Sequence, residues 1–256
     1  MPEFEHSLAV FIDYENLALG ATPKGGGKRI PATKPDISKV LERLLEKGKL
    51  TAKRAYSDWQ RFPDAVGDLH ALGIELTEIP TRAQTGKNSA DIRLAVDAIE
   101  LCHTKSFIDT FVIVSGDSDF TPLVSQLKEN GKTVIGVGMY DSTSELLAAN
   151  CDEFIFYEEI GIAVDAPAIP EGLSMEKRKA YQLLFETIEA LQRENVTAMH
   201  SSLIKDTIRR KTPQFNEQLY GYRSFTGLLE EAQDLGLIKM HKDAKSGTWA
   251  VEGFTG

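Results

Sequence analysis

The stretch Phe111–Asp119, which reads FVIVSGDSD, decides the fold of the first part of this chain. Its first four residues are all aromatic or β-branched, as expected for a strand buried on both faces of a parallel sheet. A polar turn sequence with two carboxylates, Ser-Gly-Asp-Ser-Asp, follows at once. The stretch therefore predicts a central strand whose carboxyl end carries Asp117 and Asp119.

Strands and helices are expected to alternate on both sides of this strand. The other predicted strands are Leu8–Ile12, Thr51–Tyr56, Ile74–Ile79, Thr133–Val137 and Phe154–Tyr157, and the predicted helices are Asp36–Lys47, Asn88–His103 and Phe120–Asn130. Within the second of these helices, we expect a buried stripe formed by Ile92, Ala95, Val96, Ile99 and Cys102. This alternation favours right-handed βαβ units and a parallel sheet with helices on both faces.

The chain is expected to divide at a segment without amphipathic periodicity. Gly161–Gly172 (GIAVDAPAIPEG) contains two prolines and two glycines, which is typical of a linker. We predict an α/β domain at residues 1–160, a linker at 161–173 and a small domain at 174–256. The small domain has helical patterns at Ser174–Arg193, Ser201–Arg210, Asn216–Gln218 and Ser224–Leu235, then strands at Ile238–His241 and Thr248–Val251. That order indicates a winged-helix-like α+β module.

Composition restricts the class and the location of the protein. The chain has 256 residues, two cysteines and 42% hydrophobic residues, which is ordinary for a globular protein. Because no apolar run approaches the length of a membrane helix and the N-terminus does not resemble a signal peptide, we expect a cytoplasmic protein. The net charge of −9 is carried by residues 1–165, whereas residues 166–256 are neutral. Such acidity counts against simple phosphate binding.

Four aspartates are expected to converge at one edge of the predicted sheet. Asp13 directly follows the first strand, and Asp117 and Asp119 follow the fourth. Asp91 falls in the first turn of a helix that Asn88 or Ser89 could cap, and that turn faces the same edge. In an open parallel sheet, ligands bind beyond the carboxyl ends of the strands, where the strand order reverses. If the first and fourth strands are neighbours, the four carboxylates meet.

Carboxylates crowded in this way resist ionisation unless a cation lies between them. Oxygen ligands suit Mg²⁺ or Mn²⁺, and two such ions about 4 Å apart could activate water for phosphodiester hydrolysis. We expect Asp13 and Asp117 to be primary ligands, with Asp91 and Asp119 as further ligands or as residues that position water. The alternative is that each aspartate only caps a helix or a turn.

Other residues could contact a substrate or have purely structural roles. Asn16 and Ser115 could bind a carboxylate or a phosphate, although both residues also favour turns. Lys87 could contact the scissile phosphate or be a solvated loop lysine. In the second domain, the candidates for phosphate contact and base stacking are Lys205, Arg209, Arg210, Tyr222 and Arg223.

Three blocks of the first domain closely resemble the NYN domain in its LabA-like branch. They are VFIDYENL, KNSADIRLAVDAIEL and FVIVSGDSDFTPLVSQLKENGKTVIGVG, which lie within about residues 6–160. The resemblance implies a PIN-like fold and metal-dependent ribonuclease activity. It also places the acidic residues of the family on Asp13, Asp91, Asp117 and Asp119.

The second domain resembles a LOTUS (OST-HTH) domain. The residues that carry this likeness are SSLIKDTIRRKTPQFNEQLYGYRSFTGLLEEAQDLGLIKM. The resemblance implies an RNA-binding winged-helix module, although some relatives bind proteins instead.

Two functions follow as expectations. The first is an RNase that uses Mg²⁺ or Mn²⁺ and has RNA as its partner. The second is a non-catalytic RNA-binding regulatory adaptor that retains the nuclease fold as a scaffold. In either case the protein could bind a protein partner through its second domain or form a homodimer. A phosphatase of the haloacid-dehalogenase type is disfavoured, because the segment Asp13-Tyr14-Glu15 has no second aspartate.

Overall fold

The computed structural model describes residues 6–20, 34–79, 88–160, 166–194, 196, 199–243 and 247–255. The chain forms two compact units, Met1–Gly161 and Ile162–Gly256. The predicted contact residue Lys87 lies outside the described residues.

Six parallel strands form the sheet of the first unit. They are β1 (His6–Asp13), β2 (Gly48–Ser57), β3 (Glu75–Glu78), β4 (Thr110–Val114), β5 (Thr133–Gly138) and β6 (Glu153–Phe156). Their order across the sheet is β3-β2-β1-β4-β5-β6. The order reverses between β1 and β4, which run side by side, and the predicted fold class is confirmed.

In the described part of the first unit, six α-helices accompany this sheet. They are α1 (Tyr14–Gly20), α2 (Ile37–Lys47), α3 (Pro63–Ala71), α4 (Ser89–Thr104), α5 (Thr121–Glu129) and α6 (Glu145–Asn150). Three of them, α1, α3 and α6, were not anticipated from the sequence. Each has nine residues or fewer, which is too short for a clear helical period.

Alternate residues of the central strands face two separate cores. Val10 and Ile12 belong to the core that includes residues of α2 and α3, whereas Ala9 and Phe11 belong to the core that includes residues of α4 and α5. The Phe11 ring stacks between those of Tyr56 and Phe111, with centroids 6.5 and 6.1 Å away. Because side chains alternate along a strand, Asp13 projects from the same face as Phe11, toward α4.

The buried face of α4 differs from the predicted stripe. Ile92 and Val96 are 64% and 56% exposed, and Cys102 is the only member of that stripe to be fully buried. The residues that α4 buries are Leu94, Asp97, Ala98, Leu101 and Cys102. A polar residue within this set hides the apolar period.

Asp97 is stabilised in the core by hydrogen bonds. It accepts one from the Tyr56 hydroxyl at 2.9 Å and one from Arg93 Nε at 2.8 Å. A buried carboxylate is tolerated when it is paired in this way. Asp97 is therefore a structural hydrogen-bonding group in the core of the first unit.

The described residues of the second unit form three α-helices and a small antiparallel sheet. These elements are α7 (Met175–Arg193), β7 (Met199–His200), α8 (Ser201–Lys211), α9 (Phe225–Asp234), β8 (Ile238–Lys242) and β9 (Trp249–Phe254). The strand order is β7-β9-β8. Strand β7 was not anticipated, because two residues carry no detectable period. Phe215 and Phe225 lie in the core of this unit.

Within the described ranges, no helix is long and apolar enough to cross a membrane.

Candidate active site

The candidate site lies at the carboxyl edge of β1 and β4. These strands pair in parallel from Leu8 opposite Thr110 to Ile12 opposite Val114. Asp13 is the last residue of β1, and the segment Ser115–Asp119 begins directly after β4. The register therefore brings Asp13 beside the first residues of that segment, as the sequence predicts for neighbouring strands.

Asp13 is buried, with 7% of its surface exposed. Its carboxylate accepts hydrogen bonds from the Asn16 backbone N–H at 3.2 Å and from the Ser115 hydroxyl at 3.1 Å. Burial raises the pKa of Asp13 to about 7; the negative charges of Asp91 and Asp117 raise it too, while the two hydrogen bonds lower it. Ionisation of Asp13 at neutral pH therefore costs free energy.

Asp91 shares the electrostatic environment of the strand ends. It lies in the first turn of α4 and is partly exposed. Burial, together with the smaller effects of the charges of Asp117, Asp119 and Glu15, raises the pKa of Asp91 to about 6. These electrostatic interactions connect all four aspartates that the sequence singles out.

The segment Ser115–Asp119 is organised by its own side chains. The Asp117 backbone N–H donates to Ser115 Oγ at 3.2 Å, and the Asp119 backbone N–H donates to Asp117 Oδ1 at 2.9 Å. Asp117 thus caps the 3₁₀ turn that it precedes. The alternative to metal binding was that each aspartate only caps a helix or a turn. Asp117 does make such a cap, and the cap uses one of its two carboxylate oxygens.

Asn88 ties α4 to this segment. Its side chain makes no cap hydrogen bond to α4. Instead, Asn88 Nδ2 donates to Asp119 Oδ2 at 3.0 Å. The bond fixes the start of α4, and with it Asp91, against the loop that carries the other two aspartates.

Asn16 and Ser115 hold the aspartate-bearing segments together. Asn16 Oδ1 accepts a hydrogen bond from the Gly116 backbone N–H at 2.9 Å, which joins the start of α1 to the loop after β4. Ser115 is fully buried and donates to Asp13. Both residues therefore make hydrogen bonds within the protein, and their contact with a substrate stays a prediction.

Glu15 is an acidic residue of this site that sequence reasoning did not select. It follows Asp13 by two residues in the first turn of α1, and its charge contributes to the raised pKa of Asp91. Glu15 also pairs with Arg61, which offsets part of its charge. The sequence did offer a signal for Glu15, namely its position two residues after Asp13. That position was compared only with the second aspartate of a phosphatase motif.

The donor chemistry of the site fits a hard divalent cation. Carboxylate oxygens are the preferred ligands of Mg²⁺ and Mn²⁺. Burial is the main cause of the raised pKa values of Asp13 and Asp91, and the negative charges of neighbouring carboxylates add to it. Across the described residues, however, no three His, Cys, Asp or Glu side chains form a ready cage for an ion. The carboxylate charges interact through space, and Asp13 and Asp117 each also accept a backbone hydrogen bond.

In the second unit, two of the candidate basic residues lie near one carboxylate. Lys205 Nζ lies 2.8 Å from Glu217 Oε1, and the nearby positive charge of Arg209 helps to lower the pKa of Glu217. Arg210 donates to Thr207 at 2.8 Å. Arg209 and Arg223 are exposed, so they are the two candidates that present most of their charge to solvent.

The prediction that Tyr222 stacks on bases is wrong for this structure. Tyr222 is buried, with 7% exposed, within the core of the second unit. Its hydroxyl donates to Glu231, which also accepts from Tyr181 at 3.0 Å. Lys177 Nζ lies 5.0 Å from the centre of its ring. The Tyr-Gly-Tyr pattern of residues 220–222 is compatible with a buried or an exposed tyrosine, so the sequence alone could not predict that this ring is covered.

The architecture of the first unit defines it as a PIN-like α/β domain. Residues 7–158 match the NYN domain family, and the chain belongs to that family. A stretch of 120 residues is 30% identical to an uncharacterised protein of Methanocaldococcus jannaschii, and the match covers 47% of each chain. This chain thus spans about half the length of that curated relative.

A solved structure also shares the fold. The crystal structure of a protein of unknown function from Vibrio parahaemolyticus matches with a TM-score of 0.51 and 21% identity. The match covers 61% of this chain and 95% of the other. At this identity the likeness supports the fold alone.

Replacing Asp13 by Asn should stabilise the protein when no divalent cation is present. The folded-state pKa of about 7 lies above the ordinary value of 3.8, so ionisation reduces stability progressively as the pH rises from about 4 to 7. In EDTA at pH 8, Asp13→Asn should raise the free energy of unfolding by roughly 1–3 kcal/mol. Thermal melts at pH 8 and pH 4 measure the effect, which should vanish at the lower pH.

Asp64→Asn is the matched control for this stability test. It removes the same charge from an exposed position in the first turn of α3, and it should produce no gain at either pH. An Asp13→Asn variant that melts at or below the wild-type temperature at pH 8 would contradict the conclusion that burying the ionised Asp13 carboxylate costs free energy.

Proposed function

We propose that this protein is a metal-dependent ribonuclease that hydrolyses RNA phosphodiester bonds at the carboxyl edge of β1 and β4. The observation that carries the proposal is the electrostatic coupling of Asp13, Asp91 and Asp117, which three separate segments bring to one edge of an NYN fold. Protein side chains that disfavour their own ionisation in this way cluster at functional sites.

The four aspartates would hold Mg²⁺ or Mn²⁺. Asp13 and Asp117 come from adjacent strand ends and are the proposed primary ligands, and Asp91 and Asp119 are further ligands or position water. A bound cation would supply positive charge that activates water and stabilises the leaving oxygen of the phosphodiester. Glu15 adds negative charge beside Asp91, which favours cation binding further.

The remaining residues of the site position these ligands. Ser115 donates to Asp13 and accepts from the Asp117 backbone, so one hydroxyl fixes two proposed ligands relative to each other. Asn16 joins α1 to the same loop, and Asn88 joins α4 to it. Hydrogen bonds that orient ligand carboxylates are the usual support of a metal site. Lys87 is proposed to contact the scissile phosphate.

The second unit is proposed to be a LOTUS-like module that binds RNA. Its order of helices followed by a small antiparallel sheet supports a winged-helix-like assignment. Arg209 and Arg223 are the proposed phosphate contacts, and Lys205 and Arg210 are further candidates. Residues 166–256 are neutral overall, whereas residues 1–165 carry −9, so RNA would meet less repulsion at the second unit. A protein partner or a homodimer is the competing occupant.

A non-catalytic RNA-binding adaptor is the second candidate function. The net charge of −9 over residues 1–165 favours it, as does the lack of a ready ion cage among the described residues. An adaptor of this kind would bind RNA without turnover. We propose a cytoplasmic location for either function, since Cys102 and Cys151 are free thiols and such thiols persist in reducing compartments.

Replacing Asp117 by Asn should abolish RNA cleavage. The substitution removes a proposed ligand charge while it leaves an oxygen that can still accept from the Asp119 backbone N–H. We expect the rate to fall by at least about 100-fold, on the order of 3 kcal/mol in the barrier. Cleavage of labelled single-stranded RNA in Mg²⁺ and in Mn²⁺ provides the measurement.

Asp109→Asn is the control for this assay, since Asp109 immediately precedes β4 at the opposite edge of the sheet. It should cleave at the wild-type rate. Unchanged cleavage by Asp117→Asn, or wild-type cleavage that persists in EDTA, would reject the metal-dependent mechanism. Binding without turnover in either cation would favour the adaptor.

Reversing the charge of Arg209 and Arg223 together should weaken RNA binding. Both side chains are exposed, so the fold should tolerate Glu at each position. We expect about a 10-fold loss of affinity and a salt dependence that is shallower by about two phosphate contacts. Binding titrations at several salt concentrations measure both quantities.

The matched control replaces two other exposed basic residues of the same unit, Lys179 and Lys239, by Glu. Replacing this lysine pair should reduce RNA affinity clearly less than replacing the arginine pair does. Equal losses for the two pairs would indicate general electrostatics instead of a site, and no loss for the arginine pair would contradict RNA binding at this surface.

A further inference from the structure

An exposed aromatic side chain, Tyr140, lies on the loop after β5. It begins the 3₁₀ turn Tyr140–Ser142, at the same carboxyl edge of the sheet as the aspartates. With 67% of its surface exposed, it is the most exposed large hydrophobic side chain in the described part of the first unit. The exposed part of this side chain does not contribute to the packing of the fold.

Tyr140 is nevertheless held in place. Its ring lies 5.0 Å from that of Phe156, and the Phe156 ring lies 5.2 Å from that of Phe154. Its backbone N–H donates to both carboxylate oxygens of Glu158 at 3.1 Å. A ring that is already supported from one side loses little conformational freedom when a second flat group stacks on its other side.

The loop that carries Tyr140 touches the aspartate-bearing segment. The Ser144 backbone N–H donates to the Gly116 carbonyl at 2.9 Å. A Cβ atom at Gly116 would lie only 2.8 Å from the Ser142 carbonyl oxygen and from Thr143 Cα, so only glycine permits this approach. Gly116 directly precedes Asp117. The aromatic ring is therefore carried by a loop in direct contact with the proposed catalytic loop.

The charge of the first unit determines which part of a nucleotide can bind at such a surface. Residues 1–165 carry −9, so phosphate groups are poorly attracted outside the immediate cation site. Bases are uncharged and present flat π faces that stack on aromatic side chains. A second exposed apolar side chain, Leu19, precedes Gly20, which packs against Met139 of the same loop. The surroundings therefore favour a base over a phosphate.

We propose that Tyr140 is a stacking platform that seats one unpaired base of the RNA beside the cleavage site. The proposal rests on the ribonuclease function proposed above and adds to it a residue that selects the form of the substrate. A base within a duplex is already stacked and paired and cannot lie on the ring. Tyr140 therefore favours single-stranded over double-stranded RNA.

The test compares Tyr140→Ala, Tyr140→Leu and Tyr140→Trp. Binding is measured with a short single-stranded RNA that contains 2-aminopurine, whose fluorescence is quenched on stacking, in the Asp117→Asn background so that the RNA stays intact. We expect Ala and Leu to weaken binding about 10- to 100-fold and to remove the quenching. Trp should retain both, because its ring can also stack.

Phe107→Ala is the matched control. Phe107 is 61% exposed and lies before β4, at the opposite edge of the sheet, so its loss should change neither affinity nor quenching. Thermal melts of all variants verify that the fold is retained. Wild-type affinity for a duplex of the same sequence should be lower than for the single strand, and Tyr140→Ala should reduce that preference.

The outcomes separate this inference from the proposed function. If the wild type cleaves RNA while Tyr140→Ala and Tyr140→Leu bind and quench like the parent, the stacking platform is rejected and the nuclease stands. If the wild type does not cleave but the Tyr140 variants lose binding, the platform stands and the nuclease fails. Retained affinity in Tyr140→Leu but not in Tyr140→Ala would reject stacking in favour of general apolar contact, such as a protein surface would make.

Discussion

The placement of several ionisable carboxylates at one edge of a parallel sheet is the constraint on which the site depends. The side-by-side pairing of β1 and β4 puts Asp13 next to the loop that carries Asp117. Burial then opposes the charge of Asp13, which would favour replacement by an apolar residue if stability alone mattered. Hydrogen bonds to Asn16 and Ser115 return only part of that free energy. Such a cost is understandable where the charge serves binding or catalysis.

The hydrogen bonds around these carboxylates order the site. Asn88, Asn16 and Ser115 connect α4, α1 and the loop after β4. They fix these segments relative to one another. The same loop is pressed against the segment after β5 at Gly116. A cation and a base would therefore bind to neighbouring parts of one preorganised edge.

Much of the first unit could be predicted from its sequence because its central strands are continuously apolar. The run FVIV and the carboxylates after it predicted β4 and the site edge without reference to distant residues. The pairing of β1 with β4 was only a condition of the predicted convergence, and the structure meets that condition. The helix α4 itself was predicted, but its buried face was not, since the buried Asp97 interrupts the apolar pattern and Ile92 and Val96 face outward.

Tertiary contacts decided the features that the sequence could not predict. Tyr222 is buried because Glu231 accepts its hydroxyl hydrogen bond, a pairing between residues nine positions apart that no local pattern encodes. Glu15 joins the aspartates only through the position of α4. In the sequence, Tyr140 cannot be distinguished from an aromatic residue of the core. Only the packing around it in the structure reveals that its side chain is exposed. In each case the neighbours come from other segments of the chain.

Anomalous diffraction from crystals soaked in Mn²⁺ at pH 8 tests the central claim most directly. If the crowded carboxylates form a cation site, a Mn²⁺ peak should lie about 2.0–2.3 Å from oxygens of both Asp13 and Asp117, with one or both side chains rotated toward it. A fully soaked crystal without density between these residues, or with Mn²⁺ bound only elsewhere, would contradict the account.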